Sequence, residues 1–246
     1  MLTVKTLTVG DLAANCYLVS DSVTNETVII DPGDDADFIA ETISSEKLTP
    51  TAIVLTHGHF DHVLGCLELK LNFNIPLYLH KNDEKLYTSA NQSAAHWLKK
   101  KTLKVPPVDQ FIKEGDKIKV GSETLTVIET PGHTPGSICL YHPPPRHCER
   151  TRAAIYMDRH VGISSRDDNG ELEGMLFSGD TLFKDGVGRT DFSYSKPLQL
   201  TKSLEKIFTL PEETIVYPGH GEFFISSYGS TFSSLLWKDP YRSSMR

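Results

Sequence analysis

Apolar residues along this chain fall into short runs separated by polar turns, and their period changes from run to run. From Leu2 to Val9, Asn15 to Ser20 and Glu26 to Ile30, β-branched residues alternate or cluster, which predicts three strands, the third ended by Asp31-Pro32-Gly33. Phe38, Ile39 and Ile43 then recur at helical spacing and predict a helix over 35–45. Ala52-Ile53-Val54-Leu55 reads as a buried strand, 63–73 as a helix, 76–79 as a strand, and 83 to about 101 as a helix-rich region bearing lysines. The second half repeats this order, with strands at 117–120, 125–129, 137–141, 175–177 and 214–217. A helix over 196–208 is opened by Ser195, with Pro197 in its first turn, where the missing N–H costs nothing. Two β-rich halves with flanking helices predict an α/β (α+β) chain folded as a four-layer αββα sandwich, a single domain over 1–246.

Composition narrows the class. At 246 residues, 39% hydrophobic and 23% charged, the chain reads as a soluble globular protein. A net charge of -7 argues against general nucleic-acid binding. The N-terminal ten residues hold no basic segment followed by an unbroken apolar stretch, and no later segment approaches the roughly 18 apolar residues of a membrane span, so a cytoplasmic protein with no membrane association is expected. Cys16, Cys66, Cys139 and Cys148 are scattered without a CxxC pair and read as buried thiols, with neither a structural zinc site nor a disulfide framework. Cys66 is expected as a small core residue on a helix.

Chemistry concentrates in Thr56-His57-Gly58-His59-Phe60-Asp61-His62, where three imidazoles and a carboxylate crowd into six positions. His57 and His59 are two apart, so their side chains share one side only on extended backbone, unlike the helical HExxH pair. The preceding apolar strand would place the run on a loop at its end. Three further fragments set a ligand type beside glycine just after an apolar run: Thr130-Pro131-Gly132-His133-Thr134, Phe177-Ser178-Gly179-Asp180-Thr181 and Tyr217-Pro218-Gly219-His220-Gly221. Together with the first run they supply five His and two Asp, enough for two metal ions.

The ordered motifs HxHxDH, PGHTPGS, SGDTLF and PGHG resemble the metallo-β-lactamase fold superfamily and, within it, the glyoxalase II-like hydrolases, over about residues 2–225. Asn15, Tyr17, Asp31-Pro32-Gly33 and Gly188-Arg189-Thr190-Asp191-Phe192 extend the likeness to the short, bacterial-type group. By matching position, the resemblance implies that His57, His59 and His133 hold one divalent metal, that Asp61, His62 and His220 hold a second, and that Asp180 bridges them. Zinc leads as the metal, with iron or manganese compatible with the same ligands. Two ions about 3.5 to 4 Å apart can share a water and hold it as a bridging hydroxide, with Asp61 helping to orient it. The implied activity is hydrolysis of a small-molecule thioester; Asp180, where β-lactamases of the commonest type carry a cysteine, leans the same way. β-Lactamase, mononuclear-iron persulfide dioxygenase and ribonuclease activities of the same fold are the alternatives, and a non-enzymatic binding role is disfavoured because all seven ligands are present.

Two departures bear on the substrate. Only 26 residues follow His220 in the 246-residue chain, against the long helical C-terminal part with which full-length glyoxalase II grips glutathione. Arg189, and with less weight Lys184, are left as candidate contacts for a substrate carboxylate. The segment from about 142 to 174, with Pro143-Pro144-Pro145, Arg146, Arg150, Arg152, Arg159 and Arg166, lacks periodicity and reads as an insertion. His142, His147 and His160 have no motif context and are not expected as ligands.

Overall fold

The computed structural model describes residues 1–144 and 174–226. Its first sheet contains, in spatial order, β1 (Leu2–Val9), β2 (Ala14–Asp21), β3 (Glu26–Ile30), β4 (Thr49–Val54), β5 (Leu77–His80) and β6 (Gln110–Ile112). The β1–β2 and β2–β3 pairs are antiparallel, and the following pairs are parallel. Helices α1 (Ala36–Ser45) and α2 (Cys66–Phe73) make the crossovers between the first parallel strands, and α3 (Glu84–Thr88) and α4 (Ala90–Trp97) precede β6. The second sheet runs β14 (Phe224–Ile225), β13 (Ile215–Pro218), β10 (Met175–Gly179), β9 (Ile138–His142), β8 (Glu123–Glu129) and β7 (Lys117–Val120). A small hairpin, β11 (Leu182–Phe183) with β12 (Gly186–Val187), and the helix α5 (Pro197–Ile207) lie between β10 and β13 in sequence.

Three apolar clusters define the four layers. Tyr17, Val19, Val28, Ile30 and Val54 of the first sheet meet Leu125, Leu140, Met175, Phe177 and Tyr217 of the second between the sheets. The alternate residues of the same strands, Cys16, Leu18, Ile29 and Ile53, pack outward on Ile39 and Ile43 of α1 and Leu69 of α2. Cys139, Leu176 and Val216 pack outward on Leu200, Leu204 and Ile207 of α5. Period-2 side-chain alternation therefore sends one strand into two cores, which is why these strands read as apolar runs rather than as alternating stripes. Phe177 stacks on Tyr217 at 5.0 Å and meets Tyr17 edge-on at 5.4 Å, joining both sheets at the centre.

Several boundaries differ from those expected. The helix expected from residue 63 begins at Cys66, because Gly65 N–H bonds to the Gly33 carbonyl and holds residues 63–65 in a turn against Pro32-Gly33. Ser195 does not cap α5: its N-cap is Lys196, and the Ser195 hydroxyl donates to the His133 carbonyl at 2.7 Å instead. The lysine-bearing region is helical only to Trp97. β9 continues to His142, which stands opposite Met175, so this strand pair brackets the segment between them. The arginines at 146, 150, 152, 159 and 166, together with Cys148, His147 and His160, lie outside the described residues. Cys16, Cys66 and Cys139 are buried free thiols, as expected. Among the described residues no helix is long and apolar enough to cross a membrane.

Candidate metal centre

The carboxyl ends of the parallel pairs β3–β4 and β10–β13 lie at one end of the sandwich, the usual location of ligand sites in such sheets. Just past β4 the chain bends at Thr56 and His57, His59 follows on extended backbone, and the 3-10 turn Phe60–His62 then swings Asp61 and His62 toward the same centre. His133 comes from the loop between β8 and β9, Asp180 follows β10, and His220 follows β13. Glycines allow the close approach: a Cβ on Gly219 would stand 2.2 Å from Asp180 Oδ1, and one on Gly58 would stand 2.8 Å from the Asp83 carbonyl. The buried Asp83 carboxylate clamps two of these loops together, accepting from Gly58 N at 2.9 Å, Thr134 Oγ1 at 2.6 Å and Gly136 N at 2.6 Å.

Seven side chains gather into two adjoining clusters. In the first, His59 Nδ1 lies 3.1 Å from both His57 Nε2 and His133 Nε2, and Asp180 Oδ2 lies 3.6 Å from His133 Nε2 and 4.0 Å from His57 Nε2. In the second, Asp61 Oδ2 lies 3.7 Å from His62 Nε2 and 3.3 Å from His220 Nε2, while Asp180 Oδ1 lies 3.5 and 3.9 Å from the same two nitrogens. Asp180 thus turns one oxygen to each cluster.

Hydrogen bonds behind the rings set their orientation. Asp31, at the end of β3 with φ +49°, accepts from Thr56 N at 2.7 Å and Thr56 Oγ1 at 2.5 Å, and its Oδ2 takes the Nδ1–H of His62 at 3.1 Å. With the Thr56 hydroxyl proton directed to Asp31, His57 Nδ1–H donates to Thr56 Oγ1 at 3.0 Å. His133 Nδ1–H donates to the Arg189 carbonyl at 2.8 Å and His220 Nδ1–H to the Ala13 carbonyl at 3.2 Å. Each of these four rings is left with its Nε2 facing a cluster. A third grouping, Asp31 with His57 and His62, lies behind the rings, where these hydrogen bonds already occupy the ligand atoms.

The donor set fits a cation pair. Burial first, and then neighbouring imidazoles, hold His57 well below its ordinary pKa and His59 down at about 3, so these two rings are neutral lone-pair donors. In the second cluster burial opposes charging of His62, but the carboxylates of Asp61 and Asp180 outweigh it and raise His62 to about 10. His220 is raised by the same two carboxylates against its burial, and Asp61 is held well below the usual carboxylate range despite burial, by His62 and then His220. This second pocket attracts positive charge. Buried His62 Nε2 and Asp180 Oδ1 have no hydrogen-bond partner, a costly arrangement that a metal ion would satisfy. Nitrogens about 2.0–2.1 Å from a tetrahedral zinc stand roughly 3.3–3.4 Å apart, close to the spacing in the first cluster.

The family model of the metallo-beta-lactamase superfamily matches residues 9–148 and 168–220. The chain belongs to this superfamily. It is 33% identical over 219 residues to a probable metallo-hydrolase, YqgX, of Bacillus subtilis, covering 88% of this chain and 89% of that one. It is 27% identical to the hydroxyacylglutathione hydrolase GloC of Haemophilus influenzae, covering 90% and 92%. Among solved structures, the BLEG-1 B3 metallo-beta-lactamase superposes with a TM-score of 0.74 at 30% identity, covering 93% of this chain and 96% of that one. TTHA1623 in a di-iron-bound form superposes with a TM-score of 0.73 at 32% identity, covering 92% and 96%. Within the superfamily, the two ligand clusters make this chain a metal-dependent hydrolase.

All seven residues singled out from the motifs lie in the two ligand clusters. Arg189 lies on the loop that carries Phe192 and Tyr194. Its guanidinium is paired with Asp191 at 2.7 and 2.6 Å and lies 4.4 Å over the Phe192 ring, while its backbone carbonyl orients His133. Lys184 pairs with Glu222 at 2.8 Å. Asn15 and Tyr17 hold the turn that carries His220: Asn15 Nδ2 donates to the Pro218 and Gly221 carbonyls at 3.0 and 2.8 Å, and Tyr17 OH donates to Pro218 at 2.5 Å. Asp83 and Tyr194 escaped the motif reading, since their contacts are long-range and follow no spacing rule. Tyr194 OH lies 2.8 Å from His59 Nε2, and burial pushes its phenol up to about 12.

Proposed function

We propose that the protein is a dinuclear hydrolase of small-molecule thioesters of the glyoxalase II type. The observation that carries the dinuclear reading is Asp180, whose Oδ2 faces the first cluster and whose Oδ1 faces the second. His57, His59 and His133 would hold one ion, Asp61, His62 and His220 the other, and Asp180 both. Zinc suits this mixture of imidazole and carboxylate, and iron is compatible with it. Bound there, the ions supply Lewis acidity toward a carbonyl and bring the pKa of water toward neutrality.

The chain's own residues do the remainder. Thr56, the Arg189 carbonyl and the Ala13 carbonyl fix imidazole tautomers, and Asp31 anchors both Thr56 and His62. Asp61, kept ionised, orients the attacking water by accepting its hydrogen bond. Arg189 would meet a substrate carboxylate by exchanging it for Asp191. The 142–174 segment is read as an insertion; the family match breaks off at 148 and resumes at 168.

Thioester cleavage is favoured by Asp180 at the bridging place and by the hydroxyacylglutathione hydrolase named among the relatives. Lactam hydrolysis is the second reading, motivated by the likeness to a B3 metallo-beta-lactamase. Parallel assays of the zinc-loaded protein with S-lactoylglutathione and nitrocefin separate them. A higher kcat/KM for the thioester is expected; a higher value for the lactam overturns the substrate assignment.

A further inference from the structure

Four of the five clustered imidazoles face the centre with Nε2 and donate Nδ1–H backward to Thr56, Asp31, the Arg189 carbonyl or the Ala13 carbonyl. His59 is turned the other way. Its Nδ1 faces His57 and His133, which sends Nε2 out toward the loop 189–195 rather than back into the frame. What meets that nitrogen is Tyr194 OH, at 2.8 Å. The phenol is held in turn by Phe192, which stacks on Tyr194 at 5.3 Å with planes 16° apart and packs against the His59 ring at 5.3 Å.

We infer that Tyr194 is a positioning residue of the metal centre: its phenol oxygen accepts the Nε2–H of His59 and thereby fixes the tautomer that directs the Nδ1 lone pair inward. The competing tautomer carries its proton on Nδ1, where it would donate to His57 Nε2 or His133 Nε2, each 3.1 Å away, and block the cluster. Once a cation takes the Nδ1 lone pair, the ring proton must sit on Nε2, where the phenol oxygen is placed to accept it. The loop 189–195 then secures two of the three imidazoles in the first cluster, His133 through the Arg189 carbonyl and His59 through Tyr194, while the orienting partners of His62 and His220 lie elsewhere, on Asp31 and Ala13. The role is that of an outer partner that sets a ligand's orientation.

This inference rests on His59 being a metal ligand, and the test separates the two. Zn²⁺ affinities of wild type, Tyr194→Phe and His59→Ala are measured by chelator competition, with nitrogen NMR of the imidazole rings in the zinc-loaded proteins and thermal midpoints as a folding control. Tyr194→Phe is expected to weaken the tighter of the two zinc sites by roughly 10- to 100-fold, to leave the weaker one within about twofold, and to abolish the slowly exchanging His59 Nε2–H signal. His59→Ala is expected to lose the tighter site altogether. If His59→Ala loses it while Tyr194→Phe keeps both affinities and the protected N–H, Tyr194 has no positioning role. If His59→Ala keeps both sites, the ligand assignment falls and the inference with it.

Discussion

The two clusters differ in how they are enclosed and in what holds their ligands. The first is the more enclosed: His57 and His133 are 1% and 2% exposed with His59 half-buried, and each of its imidazoles has an orienting partner outside the cluster. The second is more open, with His220 at 29%, and its carboxylates draw positive charge, raising both His62 and His220. A site built from buried, preoriented neutral nitrogens needs little reorganisation to bind a cation. An open site held by charge is easier to fill and easier to empty. Asp180 belongs to both and couples them.

The largest break in this comparison is Asp180→Asn. Losing the shared carboxylate should lower kcat/KM by more than the roughly 100-fold upper range seen for outer-shell partners and reduce bound metal below two per chain; metal analysis alongside steady-state kinetics checks this. Asp31→Ala comes next. Because Asp31 anchors Thr56 behind His57 and also holds His62, both affinities should fall, each by roughly 10- to 100-fold, in contrast to the selective loss expected for Tyr194→Phe. A fall confined to one ion would show that the clusters are oriented independently.

A smaller effect sharpens the contrast without mutation. When a chelator is titrated into the zinc-loaded protein, the more exposed second site should empty first, giving two resolved steps, whereas a single concerted step would show that enclosure does not distinguish the sites.

The smallest effect lies away from the metal ligands. Asp21, closing β2, accepts from Ser122 N and Val23 N at 2.8 and 2.9 Å and so ties the first sheet to the β7–β8 turn of the second. The Ser122 amide first, and the Val23 amide second, hold its carboxyl down to about 2. Since the folded pKa is depressed, its contribution of about 2 kcal/mol is complete above pH 4 or so and is lost as pH falls toward 2. Urea unfolding of wild type and Asp21→Asn across that window should show the difference shrinking with acid, with zinc affinity at neutral pH unchanged in the variant.

How legible these features were follows the range of the contacts behind them. The run from His57 to His62 declares itself because alternate histidines share a side only on extended backbone, and the apolar strand before it shows where that backbone ends. Glu26–Ile30 is bounded as expected because the turn residues Asn25 and Asp31-Pro32-Gly33 flank a dense β-branched run. Asp31 stood in a visible turn motif, but its task depends on Thr56 and His62, 25 and 31 residues away. Tyr194 reaches His59 across 135 residues. Ser195 looked like a helix cap by local rules and was drawn instead to the His133 carbonyl, an example of tertiary contact overriding a local preference. β6 is three residues long and carries too little pattern to stand out from the loop before it.

The central claim, that one carboxylate joins two metal sites into a single hydrolytic centre, is tested most directly by zinc titration of metal-stripped protein while S-lactoylglutathione hydrolysis is followed. Full activity should require two equivalents of zinc per chain in the wild type, and Asp180→Asn should fail to reach that stoichiometry. Full activity at one equivalent, or normal uptake of two equivalents by Asp180→Asn, would contradict it.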